Sequence, residues 1–234
     1  MAMHSLHSES KLDSQKFTME TPTTSHITFD DYKHVYEPAE DTFFLIDVIE
    51  SELPHIRKRN PSVCLEIGTG SGVVITALSK TLQSSVVCFG VDINEHACRI
   101  SKQTSLKNAT NVEMCRSDLL DAFKRKSIDI LLFNPPYVVT ENEEISNRNS
   151  GVEFNDNIIK SWAGGLNGRQ IMDKVFVELD NLLAVDGVAY VLVIKDNKPD
   201  EIIEDLVRLK MKAVAIGDRK IRGEHLFVLK IERQ

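Results

Sequence analysis

From Tyr36 onward the chain alternates short apolar runs with amphipathic stretches. Runs rich in Val, Ile, Leu and Phe at 63–67, 86–91, 111–115, 128–133, 188–194, 212–216 and 225–231 have the length and composition of strands. Between them, apolar positions recur at helical spacing over 40–52, 72–82, 95–107, 169–183 and 199–210. Strands alternating with helices predict a doubly wound, Rossmann-like α/β domain, with seven mostly parallel strands and helices on both faces. The last two runs are joined by "GDRKIRGE", too short for a crossover helix, so the final strand is expected to be antiparallel. Residues 1–33 are rich in Ser, Thr, His and charge and show no period. They read as a flexible tail, with one domain over 34–234.

No apolar run reaches the roughly 18–20 residues of a membrane span, and the N-terminal stretch has no apolar core of signal-peptide type. A cytoplasmic protein with access to the nucleus is expected, with no membrane partner. The formal net charge of −7 disfavours broad binding to nucleic acid. Cys64, Cys88, Cys98 and Cys115 lack C-x-x-C pairing and lack histidines at ligand spacing. They read as small buried residues, and no metal site is expected.

In a sheet of this kind ligands sit at the carboxyl ends of strands, where the strand order switches. The chemically unusual segments all fall there. "LEIGTGSG" follows the first strand, and Gly68, Gly70 and Gly72 allow a tight turn and a close ligand approach. The dinucleotide pattern would require glycine at 73, which is Val73. Glu66, expected at the mouth of the turn, would repel a pyrophosphate. A cationic, phosphate-free nucleoside suits the turn better, and S-adenosylmethionine meets that description. Asp92 ends the second strand 24 positions after Gly68, the place of a ribose-binding carboxylate, although capping the next helix is its competing role. Asp118 ends the third strand, where it would accept from an adenine amino group or cap a turn. Leu119 would offer its backbone N–H there.

The fourth strand ends in Asn134-Pro135-Pro136-Tyr137. Methylating a planar nitrogen is hard because its lone pair is delocalised, so the NH2 group must be held in line with the methyl and helped to rehybridise. The Asn134 side-chain carbonyl and the Pro135 backbone carbonyl supply two acceptors for that purpose. The two prolines stiffen the turn, and Tyr137 offers a flat packing face.

Together, "EIGTGSG", "VDIN" and "NPPYV" resemble class I S-adenosylmethionine-dependent methyltransferases, in particular the HemK/PrmC group of protein-glutamine methyltransferases. "VYEPAEDTFFLID", "FNPPYVVT", "WAGGLNGRQIMDKV" and "IKDNKP" are similar to its compact eukaryotic and archaeal branch. The resemblance covers about residues 34–232. It implies N5-methylation of the glutamine amide in the Gly-Gly-Gln motif of the class I translation release factor. It also implies cofactor contacts at Thr42, Glu66, Gly68, Asp92, Asp118, Leu119 and Asn134. A small zinc-binding activator subunit is implied as heterodimer partner, and an exposed third strand carrying Val112 and Met114 would suit strand addition. "EPAEDT" also reads as a plain helix start, and "WAGGLNG" as either a wall of the acceptor site or a connecting loop. Two other readings use the same residues: an adenine-N6 methyltransferase acting on DNA or RNA, and a non-catalytic cofactor-binding scaffold subunit.

Overall fold

A computed structural model of the chain describes residues 18–83, 86–140, 158 and 161–234. The apolar runs form one seven-stranded sheet from β1 (Val63–Ile67), β2 (Val87–Asp92), β3 (Val112–Arg116), β4 (Ile128–Phe133), β7 (Leu183–Ile194), β8 (Met211–Ile221) and β9 (Glu224–Arg233), in the order β3-β2-β1-β4-β7-β9-β8. Strands β1 to β4 and β7 run parallel, while β9 is antiparallel to both β7 and β8. β4 and the second half of β7 are apolar at nearly every position because both of their faces are covered. A separate parallel pair, β5 (Val138–Val139) with β6 (Ala163–Gly165), joins the end of the Asn-Pro-Pro-Tyr stretch to the "WAGG" segment.

The helices are α1 (Glu40–Lys58), α2 (Val73–Leu82), α3 (Glu95–Lys107), α4 (Gln170–Leu182) and α5 (Pro199–Arg208). α4 buries Met172, Val175, Phe176, Leu179 and Leu182, the three-four spacing of a single helical face. From β1 the chain steps outward to β2 and β3, whereas from β4 it steps the opposite way to β7. Right-handed crossovers therefore place α2 and α3 on one face and α4 and α5 on the other. The order reverses between β1 and β4, and the site opens at that switch point.

The structure departs from the sequence expectations at several places. α1 runs six residues past the expected end at 52, through Pro54, to Lys58. Leu53 and Ile56 are both fully buried. At roughly 1.5–3 kcal/mol each, their burial offsets the ~3 kcal/mol that an interior proline costs. β7 begins five residues early, and "GDRKIRGE" is mostly strand, turning only at Arg222 and Gly223. At the sheet edge, Val112 is fully buried rather than exposed, and its N–H and C=O are taken by Ser105 Oγ and Lys102 Nζ.

A further departure concerns the expected tail. Residues 1–17 lie outside the described residues, but 18–33 pack as a strap. Met19 is buried and donates to Glu50 Oε2 at 2.6 Å. Asn108 accepts from the Thr23 N–H (2.8 Å) and donates to the Thr23 carbonyl (3.0 Å). Asn94, the N-cap of α3, donates to the His34 carbonyl at 2.8 Å and so brings residues 34–36 over the site. The Asn108→Ala variant is expected to unfold with about 1 kcal/mol less stability in urea and to bind cofactor more weakly. Unchanged stability and binding would remove the strap from the account.

Candidate active site

The carboxyl ends of β1 to β4 enclose a cavity of about 430 Å³, roofed by His34–Tyr36, by the first turn of α1 and by Glu224 of β9. Of the residues singled out from the sequence, Thr42, Gly68, Gly70, Asp92, Asp118, Leu119, Asn134, Pro135, Pro136 and Tyr137 all line it. Glu66 does not.

The glycine turn is built as its composition requires. Gly68, Gly70 and Gly72 have φ of 64°, 52° and 77°, in the left-handed region that glycine adopts without strain. A Cβ on Gly68 would meet no atom within 4 Å, so its open side faces the cavity. On Gly72 it would lie 2.1 Å from Ser101 Oγ, so that glycine lets the turn seat against α3. Glu66 lies beneath the turn and accepts from the Ile75 N–H (3.0 Å) and the Thr69 hydroxyl (3.3 Å), which ties β1 to the start of α2. Burial raises its carboxyl to about 8. The expectation of a charged Glu66 at the mouth is thereby corrected, and with it the argument that this residue excludes a pyrophosphate.

The lining itself carries that selectivity. Among the described lining residues are four acids, Asp41, Asp92, Asp118 and Glu224, and neither lysine nor arginine. Such a wall suits a cationic nucleoside and disfavours phosphates. The Asp92 carboxylate accepts from the Gly70 N–H (3.0 Å) and the Asn94 N–H (2.9 Å), so it braces the turn as well as facing the cavity. Burial shifts it upward from its ordinary value, against the pull of these N–H donors. Leu119 sits at φ 44°, an uncommon conformation for leucine.

At the other end, Asp41 organises the acceptor side. It is 3% exposed, and its Oδ2 accepts from Asn134 Nδ2 (3.0 Å) and from the Tyr137 hydroxyl (3.1 Å). Its Oδ1 accepts from the Thr42 N–H (2.7 Å) and from the Tyr36 hydroxyl (3.4 Å). A carboxylate offers only acceptors, so the Asn134 amide must turn its NH2 toward Asp41 and its carbonyl the other way. That carbonyl oxygen is buried and has no hydrogen-bond partner among the described residues. Leaving such an acceptor unmet costs roughly 1–3 kcal/mol, a cost that a ligand NH2 would relieve. Burial, and then the Asp41 charge, push the Tyr137 phenol well above its ordinary value. Tyr137 therefore stays protonated and acts through its ring and its hydrogen bond. Glu224 is raised chiefly by burial and next by Asp41.

The methyltransferase small domain family matches residues 44–150. Over 216 residues, 91% of this chain and 96% of the other, the chain is 34% identical to mouse Methyltransferase HEMK2. It is 34% identical to the eRF1 methyltransferase catalytic subunit mtq2 of Schizosaccharomyces pombe, over 92% of this chain and 96% of that one. This chain belongs to the HEMK2/Mtq2 family of methyltransferases. It is also 32% identical to a putative protein N5-glutamine methyltransferase of Methanocaldococcus jannaschii, over 85% and 91% of the two chains. Among solved structures, the Mtq2–Trm112 complex of E. cuniculi superposes with a TM-score of 0.61 at 28% identity, covering 86% of this chain and 99% of that one. The fold is that of class I methyltransferases, and the cofactor is S-adenosylmethionine.

Sequence reasoning placed Thr42 at the cofactor but missed the hold of its neighbour Asp41 on Asn134 and Tyr137. It missed Glu224 and Tyr36 altogether. "VYEPAED" held the signal for Tyr36 and Asp41, whereas Glu224 arrives through the β8–β9 hairpin and left no local mark. The Asp41→Asn variant, which lets Asn134 turn over, is expected to lower kcat about 10²-fold with the cofactor still bound; wild-type turnover would contradict the Asp41 hub. Glu66 gives a pH test. Its folded value of about 8 exceeds the ordinary 4.5, so the folded chain holds a proton that the unfolded chain loses between those values. Stability therefore falls as pH rises through this window. The deficit of Glu66→Gln relative to wild type, read from thermal melts, should shrink from pH 5 to 8; a constant deficit would mean that Glu66 is charged throughout.

Proposed function

We propose that this chain methylates the side-chain amide nitrogen of glutamine in the Gly-Gly-Gln motif of the class I translation release factor, together with a small partner subunit. The observation that carries this reading is the buried Asn134 carbonyl oxygen beside the Asn-Pro-Pro-Tyr turn, unpartnered among the described residues. It is an acceptor that calls for an N–H at the point where the acid-lined cofactor cavity ends.

Bound S-adenosylmethionine supplies an electrophilic methyl group on a sulfonium. On the cofactor side, Asp92 accepts from the ribose hydroxyls, Asp118 and the Leu119 N–H read the adenine, and the Gly68–Gly70 turn lets the ligand approach the backbone. Thr42 covers it from α1. On the acceptor side, the Asn134 carbonyl and the Pro135 carbonyl take the two N–H bonds of a glutamine amide. Two fixed acceptors hold the nitrogen toward the methyl and favour its pyramidal form. The Tyr137 ring packs along the planar group while Asp41 keeps its hydroxyl occupied.

The protein substrate is supported by the relatives: the S. pombe protein is named for eRF1, and the E. cuniculi complex for methylation of the eRF1 termination factor. That complex also supports a small partner. β3 is an edge strand of the sheet, and with the Val112 groups taken by α3 its outer side is left to Met114 and the residues after it. Strand addition there is the proposed mode of pairing.

The test is transfer of labelled methyl by the chain co-expressed with its small zinc-binding partner. The acceptors are the matching release factor, the same factor with its Gly-Gly-Gln glutamine replaced, and an adenine-containing oligonucleotide. Label is expected on the intact factor alone. Asn134→Ala should lose at least ~10²-fold in kcat while still binding cofactor in calorimetry. Label on the oligonucleotide and not on the factor would overturn the reading in favour of a nucleic-acid methyltransferase.

A further inference from the structure

We propose that Asn197 is a positioning residue for methyl transfer, fixing the acceptor end of the site by clamping the Asn-Pro-Pro-Tyr turn to the Ala163–Gly168 wall. The inference rests on the assignment of Asn134 and Pro135 as the groups that orient the acceptor.

Asn197 is fully buried at the end of the short 3-10 helix Lys195–Asn197, directly after β7. It is not one of the residues that line the cavity, though it bonds to one that does. Its Nδ2 donates to the Tyr137 carbonyl (2.8 Å) and to the Asn167 carbonyl (3.0 Å), while its Oδ1 accepts from the Ile194 N–H (2.8 Å). One amide thus joins three segments: the turn that carries Asn134, the loop behind Trp162 and Ala163, and the rigid end of a central strand. Only an amide has two donors and an acceptor at this reach. Aspartate would set oxygen against two carbonyl oxygens, and alanine would leave both carbonyls unmet in the interior.

The glycines around the clamp show how closely the segments meet. A Cβ on Gly168, at φ 66°, would lie 1.9 Å from the Tyr137 carbonyl oxygen and 2.4 Å from Asn197 Nδ2. On Gly164 it would lie 2.7 Å from the Pro136 carbonyl oxygen. The Val138 N–H donates to the Trp162 carbonyl (3.0 Å) and the Thr140 N–H to the Gly165 carbonyl (3.1 Å), which completes the seam. Trp162 and Ala163 line the cavity. Release of Asn197 therefore frees the wall and the turn together, on the acceptor side, and leaves Asp92 and the glycine turn in place.

Trp162 is the only tryptophan of the chain, so its fluorescence reports the wall independently of activity. Wild type, Asn197→Ala and Asn197→Asp are compared as full chains for acrylamide quenching of Trp162 and for cofactor affinity by calorimetry. With the partner present, they are compared for kcat on the release factor. Asn197→Ala is expected to bind cofactor as wild type does, expose Trp162 to quencher and lose roughly 10²-fold in kcat. Asn197→Asp, nearly isosteric and usable if the alanine variant does not fold, should regain kcat and quenching protection as pH falls, because a protonated carboxyl recovers one donor. Asn197→Ala should show no such recovery. Wild-type quenching and kcat in Asn197→Ala, or kcat and cofactor affinity falling in parallel, would overturn the clamp, as would a pH-independent Asn197→Asp. A wild-type chain that methylates no release factor fails the substrate assignment instead, and the quenching comparison still decides the clamp.

Discussion

The acceptor end of this site depends on one buried carboxylate. Asp41 accepts from the Asn134 amide and the Tyr137 hydroxyl through a single oxygen, and in doing so decides which end of the Asn134 side chain faces the cavity. The sequence motif supplies an asparagine, but an asparagine can present either a donor or an acceptor. The first turn of α1 selects the acceptor. The orphaned carbonyl oxygen that results is a local cost of the kind proteins keep where a ligand is to be met.

The other constraint is topological. Parallel strands with right-handed crossovers bring the carboxyl ends of β1, β2, β3 and β4 to one rim, so Gly68, Asp92, Asp118 and Asn134 converge across 67 positions of chain. The sheet is rigid because its central strands are buried on both faces, and the site inherits that rigidity. Where the chain leaves the sheet, after Tyr137 and again before α4, rigidity comes from glycine-permitted close approaches and from the Asn197 amide. The described cavity walls carry four acids and neither lysine nor arginine, and this, rather than any single glycine, is what fits a sulfonium cofactor.

Much of this was legible before the structure. Periodicity located every strand of the main sheet, the antiparallel ending followed from the short connection, and the strand-end motifs marked nine lining residues, with Thr42 added by the family resemblance. The failures have physical causes. Glu66 read as a mouth residue because its position in "LEIGTG" does not reveal which way its carboxyl turns; the buried Ile75 N–H at the start of α2, which has no partner within the helix, drew it inward. Residues 18–33 read as tail because their few apolar anchors, Met19 among them, show no period. What fixes them is pairing with Glu50, Arg99 and Asn108 from distant helices. β5 and β6 are too short for periodicity and exist through each other. Glu224 depends on hairpin register, which only the folded sheet sets.

The central claim is that the Asn134 carbonyl, oriented by Asp41, receives an N–H of the acceptor amide. A crystal structure of the chain with its partner, demethylated cofactor and a peptide containing Gly-Gly-Gln tests it most directly. The glutamine nitrogen is expected within about 2.7–3.2 Å of Asn134 Oδ1, with Asp41 still accepting from Nδ2. A glutamine whose carbonyl oxygen meets a reversed Asn134 amide, or whose nitrogen lies away from this turn, would contradict it.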